Sequence, residues 1–307
     1  MLPAVTADPE DLVREAAIAF VHATAANAGG LIRREQLEAF SFAGRTIRLI
    51  APQQGIWTPR GFSCALSFLT TAVRGNERPP YEDAIGDDGY PRYKWRGTDS
   101  NHHDNRALRR AMKLGKPLLY FIGIVPGVFR PYGPVWLAAE EPAEHQFVVA
   151  LDPAMLSGWE PGLELTPFAP ARRYAQVLVN RRLHQRPFRD RVLIAYGSQC
   201  ALCRLRHPPL LDAAHIKEDA DGGEPVVTNG MAMCAIHHRA FDAHVLTVKP
   251  NYRIEISERV LAEHDGPTLQ HALQNLHGDS ISLPKRRAEH PDRDLLEERY
   301  DRFLASA

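Results

Sequence analysis

Over residues 10–27, DLVREAAIAFVHATAANA, the apolar positions Leu12, Ala16, Ile18, Ala19 and Val21 recur at roughly helical spacing, and Gly29-Gly30 ends the pattern. The spacing predicts a helix there and a second short one over Arg33 to Phe40. The stretch TIRLIAPQQGIWTPRG alternates and then breaks at Pro and Gly, which predicts strand, loop and strand. Two helices followed by such a ribbon suit either a winged-helix-like unit or a helical cap on a β-domain, and the pattern does not choose between them. Between Ser63 and Asp152 the apolar runs CALSFLTTAV, YPRYKW, PLLYFIGIV, GPVWLAA and HQFVVALD are short and bounded by turn residues, as strands are. Only Asp104 to Gly115 has a clear helical pattern in that region, with Asp104 placed to cap it and Gly115 to stop it.

The segment from Asp152 to Pro170 holds four prolines and two glycines with no sustained period. It predicts a linker over 156–170 between a β-rich domain, 1–155, and a second domain, 171–307. In the second, a helix with a basic face runs from about Arg172 to Tyr196, Tyr252 to Ser257 reads as a strand and Arg293 to Ser306 as a helix. The class is α+β.

Composition narrows the function. With 307 residues, 44% apolar and 24% charged, the chain is an ordinary globular protein and not a disordered one. No apolar run reaches the roughly 18 to 20 residues of a membrane span, and acids stand near the N-terminus where a signal peptide carries lysines. The expectation is a cytoplasmic protein with no membrane partner. The 37 basic and 37 acidic side chains balance overall but not locally. Nine arginines lie between Arg172 and His207 against one acid, Asp190. Arg92 to Lys116 holds eight basic residues against Asp99 and Asp104, interleaved with Tyr93 and Trp95. Such a mixture suits phosphate contacts and stacking on an unpaired base. The candidate DNA-binding residues are Arg92, Lys94, Arg96, Arg106, Arg109, Arg181, Arg182, Arg186 and Arg189.

Four cysteines are too few for a disulfide scaffold. Cys200-x-x-Cys203 is followed about 30 residues later by Cys234-x-x-His237. Two sulfur pairs of this kind, one with an imidazole, close a tetrahedral zinc site with no open position, so the zinc expected here is structural. Cys64 stands apart as a buried small hydrophobe, and His102-His103 reads as a solvated loop.

Outside that set the order His215, Asn229, His238 remains. With the Cys pair, Ala214-His215-Ile216, Asn229-Gly230, Cys-x-x-His-His and the upstream Gln185-x-x-Phe188-Arg189-x-x-Val192-Leu193-x-x-Tyr196, residues 185–250 resemble the HNH endonucleases. The resemblance implies a ββα-metal fold holding a catalytic divalent ion, Mg²⁺ or Mn²⁺. It makes His215 the general base, His238 a metal ligand, and Asn229 the residue that fixes the loop between strand and helix. Many members place an Asp or His directly before the base, whereas this chain has Ala214. Asp212, two positions earlier on the same strand face, is the candidate first ligand, with Asp242, one helical turn after His238, in reserve.

In the first half the order Pro52-Gln-Gln-Gly55-Ile-Trp57, Gly61-Phe-Ser63, Tyr93-x-x-x-Gly97, Asn105-x-Ala-Leu108, PLLYFIGIV and HQFVVAL loosely resembles SRA-like domains. These are curved β-barrels, SRA/PUA-like, that flip a modified cytosine into a pocket. The resemblance implies pocket walls from Trp57, Tyr93 and Trp95, and edge-reading by Asp99 or Asn101. The expected protein is a modification-dependent restriction endonuclease acting on double-stranded DNA, with modified cytosine as the mark. A plain or sequence-specific HNH nuclease and a non-catalytic zinc DNA-binding protein are the alternatives. One active site per chain favours a homodimer or paired binding for double-strand cleavage.

Overall fold

Pro9–Ala26 forms the first helix, α1, in a computed structural model that describes residues 8–72, 86, 88–153, 183 and 185–306. Asp8 caps it by accepting the Glu10 N–H, and beyond its end Gly29 and Gly30 take left-handed conformations that cost glycine little. Ile32–Arg33 (β1) runs into the short helix Arg34–Glu38 (α2), and a small hairpin follows, Ser41–Phe42 (β2) with Arg45–Thr46 (β3). The strand expected over TIRLI stops at Thr46, because Leu49 and Ile50 turn inward to fill the core beneath the helices.

The remaining elements of the first half are Ile56–Trp57 (β4), Ser67–Thr70 (β5), Arg92–Lys94 (β6), the helix His103–Lys113 (α3), Leu118–Val125 (β7), Val128–Glu141 (β8) and Gln146–Ala150 (β9). They form one seven-stranded sheet in the order β4–β5–β7–β8–β9–β6, with β1 also on β8. β5 and β7 run parallel and the other pairs antiparallel. The long β8 pairs with β7 as far as Val135 and with β9 from Trp136, and register shifts in both ladders bend it. Among the described residues no ladder joins the end strands β4 and β6, so what these residues form is a curled sheet.

The alternation of β7 explains the packing. Leu118, Tyr120 and Ile122 join Phe68, Phe147, Leu108 and Ala111 on one face, whereas Leu119 and Phe121 join Val13, Ala17, Val21, Leu37 and Phe129 on the other. Helices α1 and α2 therefore cap one face of the sheet, and the winged-helix alternative falls. Helix α3 covers the other face. Its N-cap is His102, whose side chain accepts the Asp104 N–H, and not Asp104, which sits inside the first turn with its carboxylate on Arg96. The expectation of a solvated His102-His103 loop is corrected with it, since His103 is the first helical residue.

The second half has its own core. Its elements are Arg186–Ala195 (α4), Leu211–His215 (β10), Gly230–Cys234 (β11), Ala235–Asp242 (α5), Leu246–Val248 (β12), Ile254–Ile256 (β13), Glu258–Leu261 (α6), Pro267–Ala272 (α7) and Arg293–Ser306 (α8). The expected linker 156–170, and Arg181 and Arg182, lie outside the described residues. Among the described residues no helix is long and apolar enough to cross a membrane.

A buried ion pair pins α1 to the sheet. Arg14, 1% exposed, holds Glu10 at 2.6 Å and donates to the carbonyls of Ala65, Pro117 and Cys64, while Glu10 accepts the Ser63 N–H. Cys64 is buried as expected but lies before β5 and not in a strand, with its Sγ against Arg14. Replacing Arg14 by Met leaves Glu10 buried without its partner, and we expect a loss of about 3–5 kcal/mol. Urea unfolding of the variant against the parent measures it, and a loss below about 1 kcal/mol would refute the assignment.

Candidate active site and metal centre

Residues 211–242 fold as hairpin then helix because β10 and β11 pair from Leu211↔Cys234 to His215↔Gly230 and β11 runs straight into α5. That register brings the cysteine at the end of β11 and the first turn of α5 beside the Cys200 knuckle. Cys234 Sγ lies 3.1 Å and Cys200 Sγ 3.4 Å from His237 Nδ1, and Cys203 Sγ lies 3.9 Å from Cys234 Sγ. A tetrahedron with ordinary zinc–sulfur and zinc–nitrogen bonds has edges of about 3.5 to 3.8 Å. The three separations fall within about 0.4 Å of those edges, and all four ligand atoms lie within 4.8 Å of one another, so the cluster could hold a zinc ion.

The ring of His237 is set by its other nitrogen. Nε2 lies 2.7 Å from the Ala272 carbonyl, on α7, and donating its proton there turns the Nδ1 lone pair toward the sulfurs. Hydrogen bonding with the Cys200 and Cys234 sulfurs, together with burial, raises the Cys203 thiol above the usual thiol range. The cluster can hold zinc and leaves no donor of the four for substrate.

His215 and His238 point elsewhere. The imidazole of His215 stacks on Phe188 of α4 at 4.0 Å between ring centroids and 15° between planes. Burial lowers its pKa below the usual 6.5, against the pull of Asp219 and with a further push from His238. A neutral ring at neutral pH is what a proton acceptor requires. Gly230 permits the stack, since a Cβ there would fall 2.6 Å from Val192 and 2.8 Å from Phe188.

Asn229 is fully buried. Its Oδ1 accepts the Lys217 N–H, and its Nδ2 donates to the carbonyls of Lys217 and Glu224. The loop it ties is the one between the two strands, directly after His215, and not one between strand and helix as expected. Gly223 belongs to the same knot, because a Cβ there would overlap the Lys217 carbonyl.

His238 lies between two carboxylates. Asp212 Oδ2 is 3.7 Å from Nδ1, and Asp242 Oδ2 is 3.6 Å from Nε2. One ion bound through a single ring nitrogen can share only one of these acids. The charge of Asp212 also acts on His215, so Asp212 with His238 borders the base. This more open trio is absent from the clusters of three or more ligand atoms within 4.8 Å among the described residues; the second such cluster is His102, His103 and Asp104.

The predicted DNA-binding cations divide. Arg92 grips Glu141 and Asp88 at 2.8 Å each, and Arg109 grips Glu140 at 2.6 Å, so both are committed to the fold. Arg96 pairs with Asp104, Lys94 donates to the Glu144 carbonyl, and Arg189 donates to the Pro208 and Leu211 carbonyls beside Asp212. Arg106 and Arg186 are exposed and form no ion pair among the described residues. The candidate residues omitted Arg110 and Lys113, which are exposed and form no ion pair among the described residues; with Arg106 they stand at helical spacing along the outer face of α3.

The predicted pocket residues have partners within the fold, and Tyr93 and Trp95 pack on the sheet core. Tyr93 packs on Phe68 and donates to the Leu69 carbonyl; Trp95 packs on Phe147 and His145 beneath Arg109; Trp57 donates to the Arg48 carbonyl. Asp99 and Asn101 bond to each other in the exposed turn before α3.

Residues 200–249 match the family model described as HNH endonuclease. No curated protein matches the chain. Among solved structures, the "Modification dependent TagI restriction endonuclease" is similar at a TM-score of 0.30 and 16% identity, covering 81% of this chain and 85% of that one. The "Type IV phosphorothioation-dependent restriction endonuclease ScoMcrA" is similar at 0.23 and 16%, covering 81% of this chain and 60% of that one. Superpositions this loose carry no argument about the fold.

The donor spacing predicts about one zinc ion per chain, lost in Cys203→Ser together with cooperative melting of the second unit. Metal analysis and circular dichroism check this, and a folded parent without zinc would refute it.

Proposed function

We propose that this chain, whose residues 200–249 make up an HNH endonuclease module, is a restriction endonuclease that cuts double-stranded DNA and is directed to DNA carrying a modified base. The observation that carries the nuclease reading is the separation of duties along one short helix: His237 turns to the sulfurs while its neighbour His238 turns to Asp212, beside a neutral, stacked His215. A zinc DNA-binding protein without catalysis has no use for the second group.

His215 takes a proton from the attacking water, with Phe188 fixing the ring plane and Asn229 tying the loop that follows. Asp212 and His238 would hold the divalent ion, Mg²⁺ or Mn²⁺. When bound it supplies charge neutralisation at the scissile phosphate and the departing oxygen. Asp242 keeps the far nitrogen of His238 and serves as the alternative ligand. The zinc cluster has the structural part.

Direction to modified DNA rests on the SRA-like order of pieces in the first half, which implies a pocket for a flipped cytosine. A domain division near residue 155, action in the cytoplasm and paired chains for double-strand cleavage belong to the same reading. The phosphate-facing cations are Arg106, Arg110 and Lys113, with Arg186 near the nuclease module, because those side chains are exposed and carry no carboxylate among the described residues.

Incubating the protein with plasmids bearing or lacking cytosine modifications, in Mg²⁺ and in Mn²⁺, tests the whole reading. Equal cutting of both would leave a plain HNH nuclease, and no cutting would leave the zinc DNA-binding alternative. His215→Ala should lower cleavage by at least about 100-fold with zinc and fold intact. In the parent the acid limb of kcat/KM should have its midpoint below pH 6.5, since burial keeps the base neutral there. A midpoint at or above that value would refute the assignment. Changing Arg106, Arg110 and Lys113 together to Gln should flatten the dependence of log affinity on log salt by about 2 to 3 units. An unchanged slope would remove α3 from the interface.

A further inference from the structure

We infer that Arg299, on the C-terminal helix α8 and outside the matched residues 200–249, is a positioning residue that holds His215 and His238 in one frame. The inference rests on the nuclease reading for what those two histidines do. Arg299 is 3% exposed, and Nη2 donates to the Phe241 carbonyl at 2.7 Å while Nη1 donates to the Ile216 carbonyl at 3.4 Å. Ile216 directly follows His215 at the end of β10, and Phe241 stands one turn beyond His238 in α5. One guanidinium thus ties together the two elements that carry the two groups. Its Cζ also lies over the Phe241 ring, 3.9 Å from the centroid.

Three features indicate that this is more than packing. The Phe241 carbonyl belongs to the last turn of α5, where a cation is favoured, and it takes the guanidinium in addition to the His244 N–H at 3.2 Å. A helix that needed only to bury apolar area would use Leu or Phe at 299, as α8 does at Leu296 and Phe303. Burying a guanidinium instead is costly, and its directed bonds to two carbonyls offset part of that cost while Nε has no partner among the described residues. Finally, α8 holds the segment after His215 a second and third time: Glu298 pairs with Lys217 at 3.1 Å, and Arg302 pairs with Asp221 while also holding Glu298 at 2.6 Å. The contacts concentrate on the loop between the strands, where a small displacement would turn the base away from the ion site.

The test uses the full chain with Arg299→Lys and Arg299→Met. Zinc content and melting temperature report the fold, kcat and KM on modified plasmid report the site, and the ring resonances of labelled histidine report His215 and His238 without any reaction. Variants that keep their zinc should lose about 10- to 100-fold in kcat with KM within about twofold, and the His215 and His238 resonances should shift while those of His237 stay. Lysine should restore stability more than kcat, because an ammonium cannot span two carbonyls as a planar fork does. Unchanged kcat and unchanged resonances in a zinc-loaded variant would overturn the inference, as would a kcat fully restored by lysine. If Arg299→Met does not fold, Arg299→Lys decides alone. If the parent cuts no DNA, the nuclease reading falls, and the resonances still decide whether Arg299 positions the two rings.

Discussion

The C-terminal unit is organised by a constraint on two adjacent residues. His237 and His238 follow one another on a helix, so their side chains leave the axis about 100° apart. Once His237 is fixed to Cys200 and Cys234 on one side and to the Ala272 carbonyl on the other, the direction of His238 is no longer free. It must face the exposed edge of β10, where Asp212 stands. The hairpin register does the rest by putting Leu211 opposite Cys234 and His215 opposite Gly230, so that the sulfur cluster and the base occupy opposite ends of one short ladder. Rigidity at one end becomes aim at the other.

The N-terminal unit solves a different problem, that of many cations in a small domain without net repulsion. Glu140 and Glu141, at the end of β8, each take one arginine of the basic segment, Asp88 shares Arg92 with Glu141, and Asp104 takes Arg96. Those pairs are partly buried and serve the fold. The cations left over line the side of α3 that faces away from the sheet, while Leu108 and Ala111 of the same helix go into the core. Neutralisation inside and charge outside are produced by one helix with two faces.

How much of this was legible in the sequence differs by the range of the interaction. The cysteine pairs, the His–Asn–His order and most strands could be read, because their signals are local: fixed spacing, period two, turn residues. Helix α8 was expected over Arg293 to Ser306 and is found there. What could not be read depends on partners far along the chain. Nothing near Arg92 or Arg109 announces Glu141 or Glu140, 49 and 31 positions away, so both looked free for phosphate. Asp104 looked like a cap because caps are common there, and the observed cap, His102, is an unusual residue for that position. Asn229 was correctly singled out, but its loop was misplaced because Lys217 and Glu224 bond to it through backbone atoms that carry no sequence signature. For the same reason Arg299, whose hydrogen bonds go to two carbonyls and whose ion pair is with the distant Glu218, left no trace in a search for motifs.

The parallel pair β5–β7 has a consequence for how the chain reaches its structure. Ser67 meets Leu119 across a loop of about fifty residues, whereas His215 meets Gly230 across fifteen. Closing the longer loop costs more entropy before any contact repays it, and pairings of high sequence separation slow folding. During synthesis the N-terminal half emerges first, yet its sheet cannot acquire its centre until β7 and β8 have followed. The nuclease hairpin, built from neighbours in sequence, can form soon after its last residue appears. Order of emergence and order of completion therefore need not coincide in this protein.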